Sequence, residues 1–311
     1  MNADEAVTAL AKPDFLARIE ALEALEAAPD KVVSGSKVTD LLKNQHSGVR
    51  ASAAVAIGNC GEKAAGKAEA VAALLQDGDE DVSWTVLQVG GGSERPASIM
   101  RKPKCGALYA LGCMASASHV AAITEALDDP DYEIKMCAVE ALANIGSSAK
   151  EAAGKIAELM DDETYKVRAK ACYALGVFKA DDQVDKLSEM LEDSSQMVRA
   201  EAVYALGQIG EPAAQYAGLM AKLLLDVSNT VRSSAVVAIA NVGEMGHPYA
   251  SLVATLLNDP SSDVRAEVCT ALGKMGVHGA AFEDEVSQLE GDEELAAVAS
   301  AAVQQMKAIA A

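Results

Sequence analysis

Aromatic side chains make up only 4% of this 311-residue sequence, although half of its residues are apolar. A core without large rings must be built from Ala, Leu, Val, Ile and Met on small, closely spaced helices. No apolar run approaches the roughly 20 residues that span a bilayer. The opening Met1-Asn-Ala-Asp-Glu5 is acidic where a targeting peptide is basic. Histidine is scarce: His46, His119, His247 and His278 are followed by Ser, Val, Pro and Gly. The cysteines, Cys60, Cys105, Cys113, Cys137, Cys172 and Cys269, form no Cys-x-x-Cys pair and have no His at zinc-ligand spacing. Gly90 to Gly92 lacks the Lys-Ser/Thr that a phosphate loop needs, and no Ser-His-Asp order or catalytic carboxylate pair stands out. The expectation is no catalytic residue, no metal and no cofactor. Free, mostly buried thiols fit a reducing compartment, so a cytoplasmic location is expected. Lysine and arginine number 26 against 46 acidic residues, a net charge of −20. That field repels nucleic-acid phosphates and anionic lipid, so neither nucleic acid nor membrane is the expected partner, and it favours a basic protein or peptide.

What is present is a repeat. Asp162-Glu-Thr-Tyr-Lys-Val-Arg168, Asp193-Ser-Ser-Gln-Met-Val-Arg199, Asp226-Val-Ser-Asn-Thr-Val-Arg232, Asp259-Pro-Ser-Ser-Asp-Val-Arg265 and Asp129-Pro-Asp-Tyr-Glu-Ile-Lys135 align without gaps. The basic residue recurs at 135, 168, 199, 232 and 265, and Arg50 and Arg18 open earlier copies. Apolar pairs such as Leu256-Leu257 close one amphipathic helix before each Asp. After it, Val, then Ala three past the Arg, then Ala-Leu six and seven past it, trace one face of a second helix. Gly58, Gly112, Gly176, Gly207 and Gly273, eight past the basic residue, leave room for a crossing helix. Gly61, Gly146, Gly210, Gly243 and Gly276, three further on, suit a left-handed C-terminal cap. Pro13, Pro130 and Pro260 are placed to start second helices.

Six of the eight arginines occupy the one repeat position. A merely solvating charge would as readily be Lys, so Arg50, Arg168, Arg199, Arg232 and Arg265 are expected to fork onto carboxylates or turn carbonyls. With Asp129, Asp162, Asp193, Asp226 and Asp259 they form a structural ladder between repeats. The pattern Leu-Leu-x-Asp-x-x-x-x-Val-Arg-x-x-Ala-x-x-Ala-Leu-Gly-x-x-Gly resembles the short HEAT-like repeat of the phycobilin-lyase type. The resemblance covers nearly the whole chain and implies an all-α superhelix, a HEAT-like solenoid of about nine helix pairs. On this reading residues 1–311 form one array, with cap pairs at 1–30 and 279–311.

One copy is interrupted. Arg50 and Lys104 stand 54 positions apart, and setting aside the 21 residues from 83 to 103 restores the period of 33. The insert holds the only Trp, both arginines outside the ladder, and three consecutive glycines. It is either a functional loop or sequence foreign to the repeats, such as a retained intron or variant exon. The expectation is a loop from Ser83 to about Arg101, with Pro103 starting the second helix and Ile99 or Met100 filling the core.

The same class of repeat serves scaffolds, chaperones and enzymes, so function must come from particular residues. Deoxyhypusine hydroxylase, built on such repeats, uses His-Glu pairs, and this sequence has none. Tyr109, Tyr173 and Tyr204 lie five past the basic residue, and Tyr132 and Tyr165 three before it. With Glu140 and Glu201 they are expected to form an aromatic and acidic stripe on the second helices, gripping a partner segment with apolar and basic side chains. The reading is a non-catalytic, protein-binding scaffold or chaperone-like adaptor that grips its partner on a concave face. The alternative implied by the resemblance is a phycobilin lyase-like enzyme or chromophore chaperone.

Overall fold

The computed structural model describes residues 1–80 and 98–310, all helices and turns with no strand among them. They pack as two compact units, Met1–Lys155 and Ile156–Ala311. In the first unit the long helices are α1 (Ala3–Leu10), α2 (Phe15–Glu26), α3 (Ser47–Gly58), α4 (Pro103–Cys113) and α5 (Tyr132–Ile145). In the second they are α6 (Tyr165–Val177), α7 (Gln196–Ile209), α8 (Asn229–Asn241), α9 (Ser262–Lys274) and α10 (Ala296–Ala310). From α2 onward these are the second helices of successive repeats, and within each unit each packs on the next.

Close approach sets that packing. A Cβ built on Gly112 would stand 2.8 Å from the Cα of Ala141, and one on Gly207 would stand 2.6 Å from that of Ala238. The glycine eight past the basic residue thus receives the alanine six past it on the following repeat. Neither a larger residue on one side nor a branched one on the other fits. The apolar face is fully buried, from Val167, Ala171, Ala174 and Leu175 on α6 to Val231, Ala235, Ala238 and Ile239 on α8.

The first helices are not the simple amphipathic α-helices the sequence suggests. Ala217–Lys222 is α-helical, but Glu211–Tyr216 before it and Leu223–Leu225 after it wind as 3₁₀. The same composite recurs around Val184–Glu189 and Ala250–Thr255. Tightened turns let terminal carbonyls find partners three residues on. Prolines also sit differently. Pro130 and Pro260 precede the N-caps Asp131 and Ser261 instead of opening the helices. They lie inside a small ring in which the Asp129 and Asp259 carboxylates accept the amides of Asp131 and Ser261.

The residue eleven past the basic position turns the second helices α3 to α9 back at positive φ. Gly146 has φ 71°, ψ −137° and Gly210 φ 81°, ψ −130°, so φ is positive but ψ is far from the left-handed helical value. Ala115 (φ 49°) and Lys179 (φ 47°) occupy the same register without being glycine.

Of the insert, residues 83–97 lie outside those described, and the expected loop there with them. Its last part departs from the loop expectation: Ser98–Arg101 forms one helical turn, because Ile99 and Met100 are drawn into the core. Pro103 opens α4 at its first turn, as its locked φ favours. Lys102 is buried, bonding to Asp131 and, at 2.5 Å, to Glu133, and Arg101 meets Glu80 at 2.6 Å.

Holding Ala or Lys at positive φ costs ~1–2 kcal/mol, part of which glycine returns as unfolded-chain entropy. Ala115→Gly and Lys179→Gly should each stabilise the protein by about 0.5–1 kcal/mol, read as a rise in the urea midpoint. No rise in either would show that the turn is unstrained.

Candidate functional site

The arginine position is a fork with two grips. Arg168 donates from Nε and Nη2 to the two carboxylate oxygens of Asp193 at 2.8 and 3.0 Å. Its Nη1 donates to the carbonyls of Asp162 and Glu163, closing the turn that leads into α6. Arg199 repeats this on Asp226 and on the carbonyls of Asp193 and Ser194, and Arg232 on Asp259 and the carbonyls of Asp226 and Val227. Arg265 bonds the Asp259 carbonyl and lies 3.5 Å from Asp292. Each aspartate has a second duty, accepting the amide two residues on, as Asp193 does from Ser195 and Asp162 from Thr164. A lysine ammonium has no planar fork to serve a carboxylate and two carbonyls at once, which is why Arg stands here.

In the first unit Arg50 forks onto Asp77, at 2.6 and 3.0 Å, and onto Asp79, while Nη1 bonds the carbonyls of Asn44 and Gln45. Lys104, in the fork's place, reaches Asp129 at 2.8 Å with one bond. The buried Arg18 uses Ser52 as its acceptor across repeats, together with the carbonyls of Lys12 and Pro13. Asp77, Asp79 and Asp292 are ladder members that alignment of the five clean copies overlooks.

Burial raises the pKa of Asp193 and of Asp226, but bonds from Arg168 and the Ser195 amide, and from Arg199 and the Ser228 amide, outweigh it. Both carboxyls titrate below the ordinary aspartate value. At Asp259 the Arg232 bond leads, against burial, and the shift is again downward.

The second-helix tyrosines of each unit occupy two registers. Residues three before and five past the basic position are eight apart, about 12 Å along a helix axis. Tyr132 and Tyr165 project from the first turns of α5 and α6 with 42% and 43% exposure. In the first unit Tyr109 is half-buried and donates its hydroxyl to Asn59 on the preceding repeat, and Glu140 is half-buried on α5. In the second unit Tyr173 is half-buried on α6 with Lys170 Nζ 5.5 Å from its ring centre, and Tyr204 is exposed on α7. Glu201, on α7, is pushed upward in pKa by burial, an effect that Lys170 only partly offsets. Tyr216, by contrast, donates to Asp185 at 2.5 Å.

A feature no sequence argument named is an open groove of about 610 Å³ in the first unit, lined by Glu26, Asn59, Tyr109, Cys113 and Asn144 with Gly58, Gly61 and Gly112. Its signal was the register: Asn59, Cys113 and Asn144 stand nine past Arg50, Lys104 and Lys135. Cys113 is half-exposed, while the other five thiols are buried, and burial lifts Cys269 to about 11. No cluster of His, Cys, Asp and Glu able to hold a metal ion occurs among the described residues, and no helix there is long and apolar enough to cross a membrane.

A family profile described as HEAT repeats matches residues 152–240. Over that stretch the chain carries HEAT-like repeats, and the match supports a HEAT-like repeat protein. No curated protein matches it. Among solved structures, this HEAT-like chain is similar to the CpcE–CpcF complex of phycocyanin lyase from Nostoc sp. PCC7120, with 18% identity, TM-score 0.51, and 87% and 94% of the two chains covered. It is similar to YibA of E. coli at 16% identity, TM-score 0.57, covering 89% and 94%. It also resembles the karyopherin Kap121p bound to the extreme C-terminus of the protein phosphatase Cdc14p, at 14% identity and TM-score 0.64. There the match takes in 94% of this chain and 36% of that one. These likenesses establish the fold.

Arg199→Ala should destabilise the protein by about 1–3 kcal/mol at neutral pH, since it leaves the largely buried Asp226 without its fork. The depressed aspartate pKa values make the ladder's contribution complete above 3.8 and lost as pH falls below it. The cost of Arg199→Ala should therefore shrink in acid. Urea titrations at neutral and acid pH measure both, and an unchanged neutral midpoint would make the ladder ornamental.

Proposed function

We propose that this HEAT-repeat chain is a non-catalytic scaffold or chaperone-like adaptor that grips a protein or peptide of basic character on the exposed face of its second helices. The observation that carries the reading is the group Lys170, Tyr173, Glu201 and Tyr204 on adjacent helices of the second unit. Two rings offer large contact area at small entropic cost, and a half-buried carboxyl is held in surroundings that penalise its charge. A partner's ammonium or guanidinium beside Glu201 would relieve that penalty. Karyopherin Kap121p, with the same fold, holds a C-terminal segment of another protein, which supports a peptide-gripping role. The likeness to the CpcE–CpcF complex supports a second reading, a lyase-like protein or chromophore chaperone. Tetrapyrrole absorbance carried through purification from the native source would favour it.

Affinity purification with mass spectrometry from that source names the partner. Tyr173→Ala with Tyr204→Ala should then abolish its binding without unfolding the protein. Tyr216→Ala with Tyr249→Ala, whose positions lie on first helices, should leave binding intact. Equal binding by both double variants would end the idea.

Glu201 supplies a second, thermodynamic test. Its folded-state pKa is raised, so its charge costs stability once pH rises through that value, and costs nothing below the ordinary glutamate range. Glu201→Gln should raise the urea midpoint at neutral pH, leave it unchanged in acid, and still weaken partner binding. A variant that is both less stable and fully competent would contradict the assignment.

A further inference from the structure

The groove of the first unit has a chemistry of its own. Tyr109 donates its hydroxyl to Asn59 Oδ1 at 2.9 Å, and Asn59 Nδ2 donates to Glu26 Oε1 at 3.0 Å. Both bonds point the same way, ring to amide to carboxylate, and each joins neighbouring second helices. The chain of donors fixes the amide orientation and draws Tyr109, Asn59 and Glu26 into one wall. Gly58 and Gly112 sit beside it with no side chain to fill the space, and Asn144 and Cys113 complete the lining.

Its electrostatics have one sign. Glu26 ends α2, Asn59 caps α3, Cys113 ends α4 and Asn144 lies in the last turn of α5. Four helix C-termini therefore present their carbonyl ends here, each with a partial negative charge. The Glu26 carboxylate adds a full one, and none of the described lining residues is cationic. The half-buried Tyr109 ring supplies a π face. A volume of about 610 Å³ lies within the range of sites that hold a small organic group.

We propose that this groove is a binding site for an arginine side chain of a partner segment, its guanidinium lying against the Tyr109 ring and pairing with Glu26 while the Asn59 and Asn144 amides bond the segment beside it. A guanidinium is planar, stacks on aromatic rings and forks onto carboxylates, and it tolerates the loss of water better than an ammonium. The site lies wholly in the first unit and does not rest on the tyrosine and glutamate group of the second.

Cys113 makes the groove addressable, because it is the one half-exposed thiol. The probe is a capped Ala-Arg-Ala-Arg-Ala peptide, with the same peptide carrying citrulline, neutral and of equal shape, as control. At saturation the arginine peptide should slow N-ethylmaleimide modification of Cys113, located by mass spectrometry, by about fivefold or more, and the citrulline peptide should leave it unchanged. Glu26→Gln should weaken arginine-peptide binding about five- to tenfold by fluorescence anisotropy at physiological ionic strength, and Tyr109→Leu by a similar factor with no change in net charge. Glu244→Gln, which removes an exposed charge in the second unit, should change it by less than about twofold. Equal loss in Glu26→Gln and Glu244→Gln would reduce the binding to attraction by the overall field and overturn the proposal. Equal protection by the citrulline peptide would overturn it too. Protection that survives Tyr173→Ala with Tyr204→Ala separates this site from the surface proposed above, so either can fail alone.

Discussion

Everything in each unit hangs on how closely one second helix lets the next approach. Backbone-to-backbone contact at Gly112 against Ala141, and at Gly207 against Ala238, leaves less than a methyl group between neighbours. Only there can a core made almost without aromatic rings be filled, since Ala, Val and Leu are too short to bridge a wider gap. The same contact brings consecutive inter-helix turns within reach of a single arginine. The fork is thus a consequence of the packing as well as a brace upon it. Where Lys104 replaces Arg and makes a single bond, Lys102 and Arg101 from the insert also tie acidic residues of neighbouring turns.

Much of this was legible because a period turns single residues into a column. Glycine recurring eight and eleven past a basic residue has different causes at the two places, and the spacing separates them: one makes room for a neighbour, the other reverses the chain. Arginine's recurrence announced bidentate bonding before any partner was identified. What escaped the reading escaped for physical reasons. A 3₁₀ turn and an α turn bury nearly the same apolar pattern, so the composite first helices left no mark in hydropathy. Ala115 and Lys179 hold a glycine's conformation under the compulsion of repeats on either side, and neither residue type signals it.

The site was less legible than the fold, and the tyrosines show why. Position on a helix face says which side a ring leaves from, not what it meets. Tyr109 and Tyr204 share a register, yet one hydrogen-bonds across to Asn59 and the other stands out in solvent. The groove was harder still. Its walls mix Glu26, Tyr109 and Cys113 with Asn59 and Asn144, so among the groove's repeats the shared register carries Asn twice and Cys once and does not stand out as a column. Function in such a protein is written in the departures from the repeat, where selection for stacking is relaxed.

The double duty of the ladder aspartates gives each array a direction. An arginine is completed only by the repeat that follows it, whereas the aspartate it will grip is already engaged by an amide of its own turn. Trimming from the C-terminal side back past Asp193, Asp226 or Asp259 strands the guanidinium of Arg168, Arg199 or Arg232 among carbonyls, while trimming from the N-terminal side past those arginines leaves a carboxylate that still accepts its own turn's amide. Each fork needs an aspartate that lies 25 to 27 residues further along the chain. The ladder is therefore polar, and the two faces exposed by removing a repeat differ in chemistry, one offering a cation and the other an anion.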